Sequence, residues 1–218
     1  MSTDVKKVLS EETIRQSLGS FGVIVNEHQV FCIQQYMRIL LQWNEKLNLT
    51  AIRDPLEILV RHFCESMFAV GAIPVEFGRL ADIGSGPGFP GLPMKIMQPE
   101  LDLFLVESNI KKGTFLAEVI RELELKNARV LISRYEELGE ELAPLDYVCS
   151  RAVGEFGPFL EWASSEKVSA NRVVLWIGGR DLEEARKSLD WEWAEPIAIP
   201  HSLRRFLLVG TKRSKLSG

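Results

Sequence analysis

The first part of the chain has the hydrophobic spacing of helices. After Asn26, apolar residues recur at steps of three and four positions, the period of one face of an α-helix: Val30, Ile33, Met37, Leu40, Leu41 and Leu47. Asn26 is placed to cap this helix, and a shorter helix is predicted before it, beginning near Ser10. The N-terminal region is therefore predicted to be helical.

A third helix is predicted after Asp54 and Pro55. This pair resembles an N-cap followed by proline at the first helical position. Proline suits that position because the first helical N–H groups have no partner within the helix. The apolar positions that follow carry the prediction through Leu59 and Phe63 toward Val70.

Residues 71–78 contain two glycines and a proline and mark a junction. Beyond it, short continuous apolar runs alternate with helical stretches, at residues 80–83, 101–106, 128–132, 147–150, 173–177 and 206–210. Such runs are typical of strands buried on both faces, and the alternation indicates βαβ units with a parallel sheet. Residues 191–199 are interpreted as one more strand, antiparallel to its neighbours. We predict two domains: a helical N-terminal cap, residues 1–75, and a doubly wound α/β domain with a basic C-terminal tail, residues 76–218.

The composition is that of an ordinary globular protein, since 46% of the 218 residues are hydrophobic and 26% are charged. The apolar runs fall far short of the roughly 18 residues that a membrane span needs. The N-terminus is polar and lacks the apolar region of a secretory signal, so we expect a cytoplasmic protein with no membrane partner. The three cysteines lie far apart without a CxxC motif, so we expect buried thiols, no disulfide and no metal. We also expect a monomer.

The net charge of −4 argues against a protein that coats nucleic acid by bulk charge. The average hides a local asymmetry, because residues 202–218 carry no acids and five cations: Arg204, Arg205, Lys212, Arg213 and Lys215. A solvated tail and a patch that contacts phosphates are both compatible with this pattern. We expect any RNA affinity to fall steeply with salt.

The sharpest motif is DIGSGPGFPG at residues 82–91, the glycine loop, where the first predicted strand ends and a helix begins. Ligands of doubly wound sheets bind beyond the carboxyl ends of strands, and small residues let them approach the backbone. The dinucleotide fingerprint GxGxxG needs a glycine where this chain has Phe89. Pro87 and Pro90 also remove N–H groups that a pyrophosphate would use. A nicotinamide-dependent oxidoreductase is therefore disfavoured.

Glu107 ends the next predicted strand, about 20 residues further on, where an acid commonly binds ribose hydroxyls. A solvated acid at a strand end is the alternative interpretation. Together with a glycine loop that is poor in phosphate donors, this position indicates a nucleoside cofactor without a pyrophosphate. S-adenosylmethionine fits that description.

Several further motifs accompany the glycine loop: Trp43-Asn44, NLTAIRD at residues 48–54, Arg61-His62, Pro93 and Ser150-Arg151-Ala152. Jointly they resemble the bacterial 16S ribosomal RNA guanine-N7 methyltransferases, the glucose-inhibited division protein B family. The resemblance extends over residues 40–212, which is most of the chain. It implies a class I S-adenosylmethionine-dependent methyltransferase of Rossmann-like fold behind an N-terminal helical cap, acting on N7 of a specific guanine in 16S ribosomal RNA of the small ribosomal subunit.

The resemblance also implies roles for individual residues. Gly84, Gly86 and Phe89 would line the methionine end of the cofactor. The ribose and adjacent adenosine would be held by Glu107, Ser108 and Asn109, and the adenine by Tyr135 and Glu136. Arg151 would lie near both cofactor and incoming base and is the residue assigned to the transfer itself. Arg61, His62 and Arg205 would contact the RNA, although a structural histidine is the alternative for His62.

Methylation at guanine N7 needs no general base, because N7 carries an in-plane lone pair and no proton. The expected work of the enzyme is positioning, with the reacting atoms about 3–3.5 Å apart. N7 is hard to reach inside a deep A-form groove, so an unpaired or splayed-out base is the expected target.

Three positions depart from the family pattern. Glu65-Ser66 stands where an Asp-Ser pair is usual, Ile177 replaces a lysine, and Phe206 replaces a histidine. These changes affect the expected RNA-facing edge more than the cofactor pocket. Two other functions therefore stay open: a methyltransferase that acts on a small molecule or protein with the same cofactor pocket, and a non-enzymatic RNA- or nucleotide-binding module.

Overall fold

The first two helices begin at the residues that the sequence predicts. In the computed structural model, which describes residues 9–73, 78–151 and 154–213, α1 spans Glu11–Gly19 and α2 spans Glu27–Leu47. Ser10 Oγ accepts a hydrogen bond from the Thr13 amide at 3.2 Å. Asn26 forms a capping box with Gln29, in which each side chain bonds the other residue's amide. Among the described helices, none is long and apolar enough to cross a membrane.

The third helical segment is continuous but not uniform. It begins with α3, Pro55–Ile58, widens into a π-helical turn over Leu59–Cys64, and ends with α4, Glu65–Ala72. Asp54 caps it as predicted, through a bond from the Glu57 amide of 2.8 Å. The sequence predicts a regular helix here, whereas the structure has a wider turn that contains Arg61 and His62. Wide turns of this kind are frequent at functional sites.

Eight strands form one sheet within the described residues. They are β1 Gly78–Ile83, β2 Leu101–Val106, β3 Ala128–Leu131, β4 Leu145–Ser150, β5 Ala170–Gly178, β6 Trp191–Trp193, β7 Ile197–Ala198 and β8 Arg205–Lys212. The spatial order is β3-β2-β1-β4-β5-β8-β6, and the first five strands are mutually parallel. Because β1 lies between β2 and β4, the winding reverses there and leaves a crevice at the carboxyl ends of these strands.

The end of the chain departs from the predicted pattern in two ways. β8 runs antiparallel to β5 and also pairs antiparallel with β6, which precedes it in the chain. The single late strand predicted over residues 191–199 is wrong: it is split into β6 and β7, which both pair antiparallel with β8. Pro196, which lacks an amide donor, lies in the break.

The remaining helices cover both faces of the sheet. They are α5 Gly91–Met97, α6 Ile110–Glu122, α7 Phe156–Ser164 and α8 Leu182–Ala185. On one face, α5 and α6 share a hydrophobic core with α1, α2 and the wide turn, while α7 and α8 pack on the other. The three cysteines are buried and free, as predicted. The domain boundary stays a prediction because it falls at residues 74–77, outside the described residues.

Candidate active site

The glycine loop leaves β1 with three glycines at positive φ: +68° at Gly84, +54° at Gly86 and +91° at Gly88. A Cβ on Gly84 would meet nothing within 4 Å, and one on Gly86 only Gly84 O at 3.8 Å. A Cβ on Gly88 would instead collide with Leu92 and with the Tyr36 hydroxyl. The first two glycines thus border open space, while the third is packed against the interior.

A cavity of about 330 Å³ opens at the carboxyl ends of the parallel strands, and we call it the strand-end cavity. Its volume lies within the range of ordinary small-ligand sites. It lies in the crevice where ligands of doubly wound sheets bind. The described residues that line it are Ile83, Gly84, Val106, Glu107, Ser108, Ser133, Arg134, Tyr135, Glu136, Ser150, Gly154 and Glu155.

Glu107 ties the glycine loop to the end of β2. Its Oε2 accepts a hydrogen bond from the Gly86 amide at 2.9 Å, and its Oε1 accepts one from the Asn109 amide at 2.8 Å. Each carboxylate oxygen has a second lone pair, so Glu107 can still accept bonds from hydroxyl groups in the cavity. One buried side chain therefore fixes the backbone and offers a binding group.

Asp82 anchors the other end of the glycine loop. Its buried Oδ2 accepts the Gly91 amide at 2.9 Å, at the first residue of α5. Burial raises the pKa of this carboxyl from 3.8 to about 7, although the Gly91 bond and the Arg151 charge oppose the rise. A Cβ on Gly91 would lie 2.8 Å from Asp82 Oδ2, so this close approach requires glycine.

Phe89 points into the protein and packs between two rings. Its centroid lies 4.7 Å from that of His62, with planes 18° apart, and 5.2 Å from that of Tyr36, with planes 8° apart. The Tyr36 hydroxyl also donates a hydrogen bond to the Pro87 carbonyl. Side chains of α2 and of the wide turn therefore pack against the glycine loop and support it.

His62 is held as a neutral ring. Burial lowers its pKa from 6.5 to about 3, and the nearby charges of Arg151 and Arg61 act in the same direction. Its Nε2 lies 2.9 Å from Thr50 Oγ1. The buried Nδ1 has no hydrogen-bond partner within the described part of the chain. A ring with this pKa is a weak proton acceptor at neutral pH.

Three arginines converge on Glu65, and we call Arg61, Arg151 and Arg205 the arginine cluster. Arg205 makes a forked contact with the Glu65 carboxylate, with Nη2 at 2.7 Å from Oε1 and Nε at 3.2 Å from Oε2. Arg61 Nε lies 3.1 Å from Oε1, and Arg151 Nη2 lies 3.6 Å from Oε2. Glu65 itself is only 1% exposed.

The arginine cluster begins next to the strand-end cavity. Ser150 lines that cavity and donates a hydrogen bond to the Ile83 carbonyl at 2.8 Å, and Arg151 follows it directly. Arg151 Nη2 donates to the Arg61 carbonyl at 3.0 Å and Nη1 to Ser66 Oγ at 3.4 Å. Burial lowers the pKa of the Arg151 guanidinium. Within residues 9–73, 78–151 and 154–213, no group of three or more His, Cys, Asp or Glu side chains could hold a metal ion.

A family model described as rRNA small subunit methyltransferase G, GidB, matches residues 29–206. The chain belongs to this family. It is 33% identical over 208 residues to the ribosomal RNA small subunit methyltransferase G of Dichelobacter nodosus, covering 95% of this chain and 98% of the relative. It is 48% identical over 182 residues to the protein of the same name from Xylella fastidiosa, covering 82% of this chain and 84% of the relative.

Solved structures place the fold of this rRNA small subunit methyltransferase G family member among S-adenosylmethionine-dependent methyltransferases. An S-adenosylmethionine-dependent methyltransferase from Aquifex aeolicus matches with a TM-score of 0.57 and 14% identity, over 76% of this chain and 97% of that one. A ribosomal protein L11 methylase from Lactobacillus delbrueckii matches with a TM-score of 0.52 and 14% identity, over 71% and 80%. The predicted α/β methyltransferase fold is thereby confirmed.

The structure brings some of the expected cofactor residues to one place in this family member. Five of them line the strand-end cavity: Gly84, Glu107, Ser108, Tyr135 and Glu136. Gly86, Phe89, Asn109 and Arg151 are not among the described residues that line it. Asn109 Oδ1 instead caps α6 by accepting the Lys111 and Lys112 amides at 2.9 and 3.2 Å. The individual cofactor roles stay predictions.

The expected RNA residues also meet. Arg61 and Arg205 join Arg151 around Glu65, and His62 lies beside them in the wide turn. Their contacts with RNA likewise stay predictions.

Sequence reasoning missed several residues of this site. Glu65 departs from the family pattern, but its spacing four residues after Arg61 is that of a helical ion pair and is a signal for its place in the site. Tyr36 follows Ile33 by three residues, so the helical period assigns it to the apolar face of α2. Ser150 has no signal beyond the motif that it shares with Arg151.

Proposed function

We propose that this chain transfers a methyl group from S-adenosylmethionine to N7 of a specific guanine in the 16S ribosomal RNA of the small ribosomal subunit. The observation that carries the proposal is the family match over residues 29–206, which include both the strand-end cavity and the arginine cluster. Relatives with 33% and 48% identity are named ribosomal RNA small subunit methyltransferase G.

The strand-end cavity fits the proposed cofactor. The open space above Gly84 admits a ligand close to the backbone, Glu107 has lone pairs left for two ribose hydroxyls, and Tyr135 offers a ring. S-adenosylmethionine supplies an activated methyl group on a sulfonium. We assign Gly84, Gly86 and Phe89 to the methionine end, Ser108 and Asn109 beside Glu107 to the ribose, and Glu136 beside Tyr135 to the adenine.

The proposed reaction needs little acid or base catalysis by the protein. Guanine N7 carries a free lone pair, so no residue has to remove a proton from the nucleophile. The neutral His62, with a pKa of about 3, suits a packing role under Phe89 rather than that of a base. The remaining work is to align the base and to exclude water. Arg151 follows the cavity residue Ser150 and is the residue proposed to meet the base.

Recognition of the RNA is proposed to rest on local cations, because the net charge is −4. The cations of the proposed contact region are Arg61 and Arg205 beside Arg151, and the neutral ring of His62 is proposed to contact the RNA next to them. We further propose that the protein acts as a monomer in the cytoplasm, with residues 1–75 as the cap behind the catalytic domain.

The test is transfer of labelled methyl from S-adenosylmethionine to small ribosomal subunits from cells that lack this activity, followed by chemical cleavage at N7-methylguanine. The expected result is a single labelled guanine in 16S RNA. Label on another RNA atom or particle would overturn the proposed substrate. The absence of label despite measurable cofactor binding would favour a small-molecule or protein acceptor. The variant Arg151→Ala should lower the rate of transfer far more than it lowers thermal stability.

A further inference from the structure

Glu65 joins three segments that lie far apart in the sequence. Arg61 belongs to the wide helical turn, Arg151 follows β4, and Arg205 begins β8, 140 residues after Glu65. The Trp176 indole N–H donates to the Glu65 carbonyl at 3.0 Å and holds this helix on β5. The backbone of Glu65 is therefore held by a contact that does not involve the arginines.

The arginine cluster and Glu65 together carry excess positive charge. Arginine stays charged at all physiological pH values, so the arginine cluster holds three positive charges against the single carboxylate of Glu65. The other carboxyl that acts on Arg151 is Asp82, whose pKa of about 7 leaves it only partly ionised at neutral pH. Between one and two positive charges remain unbalanced among these described groups.

The arginine cluster also has donors to spare. Arg205 uses Nε and Nη2 on Glu65, and Arg61 Nε lies 3.1 Å from the same carboxylate without a hydrogen bond, whereas each guanidinium carries five N–H groups. The side chains of Arg61 and Arg205 are 37% and 30% exposed. Their remaining N–H groups therefore have access to a ligand from solution.

We propose that the arginine cluster binds a backbone phosphate of the substrate RNA, and that Glu65 is the positioning residue that fixes the three guanidinium planes for it. This inference rests on the proposed function. A phosphodiester supplies the missing negative charge and accepts the forked bonds that arginine offers. Because Arg151 directly follows Ser150 of the strand-end cavity, a phosphate held here places its nucleotide beside that cavity. Contacts with backbone phosphates fix the position of the protein along the RNA but do not recognise the base sequence.

The direction in which RNA affinity changes in one variant distinguishes a positioning role of Glu65 from attraction by bulk charge. The variant Glu65→Gln removes a negative charge, so attraction by charge alone would tighten RNA binding. Positioning predicts the opposite, because a neutral amide cannot hold three arginines. We expect the KM for small subunits to rise about tenfold, which corresponds to one charge-assisted contact, while the affinity for S-adenosylmethionine stays unchanged. Glu65→Asp, which keeps the charge, should recover part of this loss.

The salt dependence of RNA binding supplies the second measurement. For the variant Arg205→Gln, the slope of log Kd for 16S RNA against log salt should fall by about 0.7–0.9, the value for one lost phosphate contact. Arg205→Lys should keep most of the slope but bind less tightly, since a lysine cannot form the fork. Glu11→Gln and Arg121→Gln are matched controls, because Glu11 pairs with Arg15 at the same i,i+4 spacing and Arg121 is a paired surface arginine.

The outcomes separate this inference from the proposed function. If the wild-type protein methylates small subunits while Arg205→Gln keeps the wild-type slope, or Glu65→Gln binds RNA more tightly, the inference is wrong and the proposed function stands. If the wild-type protein methylates no small-subunit RNA, the proposed function fails. Should Glu65→Gln not fold, as judged by circular dichroism, the slopes of the two Arg205 variants decide the question alone.

Discussion

The ring of Tyr36 lies nearly parallel to that of Phe89, with planes 8° apart and centroids 5.2 Å apart. Tyr36 belongs to α2, whereas Phe89 belongs to the glycine loop, and the Tyr36 hydroxyl donates to the Pro87 carbonyl of the same loop. The shape of the proposed cofactor site therefore depends on a helix that precedes the sheet in the sequence and has no residue among those described as lining the cavity.

The variant Tyr36→Phe isolates this link. It keeps the ring but leaves the half-buried Pro87 carbonyl without this donor, so the free energy of unfolding should fall by about 1 kcal/mol. The affinity for S-adenosylmethionine should fall as well, because the loop is less fixed. Urea denaturation and calorimetric titration measure the two effects. Tyr36→Leu, which also loses the stacking, should cost more; equal stability of Tyr36→Phe and wild type would show that the bond contributes nothing.

Glu107→Gln tests the dual role of this carboxylate. The amide nitrogen of glutamine is a donor and would face the Gly86 or Asn109 amide, which both need an acceptor. The Kd for S-adenosylmethionine should rise about 10- to 100-fold, which corresponds to about 1.5–3 kcal/mol for a charged hydrogen bond. Glu122→Gln, on the exposed end of α6, is the control and should leave the Kd unchanged.

Gly88→Ala should destabilise the protein by about 2–5 kcal/mol. The new methyl would combine the strain of a φ of +91° with collisions against Leu92 and the Tyr36 hydroxyl. Gly71→Ala is the matched control, since a Cβ there meets nothing within 4 Å and the residue lies in α4. That variant should be neutral or more stable by about 0.5–1 kcal/mol. Thermal melts of both variants give the comparison.

Asp82 makes stability fall as pH rises. Its pKa is about 7 in the folded protein and 3.8 ordinarily, so the folded state binds the extra proton between these values. The contribution is complete below pH 4 and is lost as pH rises to about 7, on the order of a few kcal/mol. In Asp82→Asn the free energy of unfolding, measured with urea at pH 5 and 7.5, should no longer fall over this range as it does in the wild type. An identical fall in wild type and variant would contradict the assignment.

His62 has the opposite effect to Asp82 on the pH dependence of stability. Its pKa is lowered from 6.5 to about 3, so the unfolded state binds the proton first and stability is lost as pH falls through this window. Between pH 4 and 6.5 the contributions of His62 and Asp82 oppose each other in the wild-type profile. Removing one of these groups leaves the contribution of the other. The free energy of unfolding of His62→Gln should fall more steeply with rising pH than that of the wild type, whereas that of Asp82→Asn should rise with pH. The same urea titrations provide this measurement.

Local chemistry made much of the fold predictable from the sequence. Ser10, Asn26 and Asp54 cap helices because each has a side-chain oxygen within reach of a nearby amide, and the apolar runs mark the buried strands. The wide turn at Leu59–Cys64 was not predictable, since its ring contact with Phe89 is made across the fold. The antiparallel direction of β8 was not predictable from such local signals, because a short helix and two strands lie between it and β5.

The candidate site was predictable only in part, for the same reason. The glycine loop and Glu107 lie at characteristic spacings, so sequence alone located the strand-end cavity. The arginine cluster depends on contacts between residues 140 positions apart, and no spacing rule connects Glu65 with Arg205. The burial of Glu65 results from the packing of three segments around it, so the sequence near Glu65 does not predict it.

The location of Arg205 on β8 has a consequence for folding. Its forked contact with Glu65 joins residues 140 positions apart, and such distant contacts form late because a long loop must close first. The contact also requires β8 to have paired with β5. If the chain acts on ribosomal RNA as proposed, a partly folded molecule can shape the glycine loop around Glu107, 21 positions away, before it can hold that RNA with the arginine cluster.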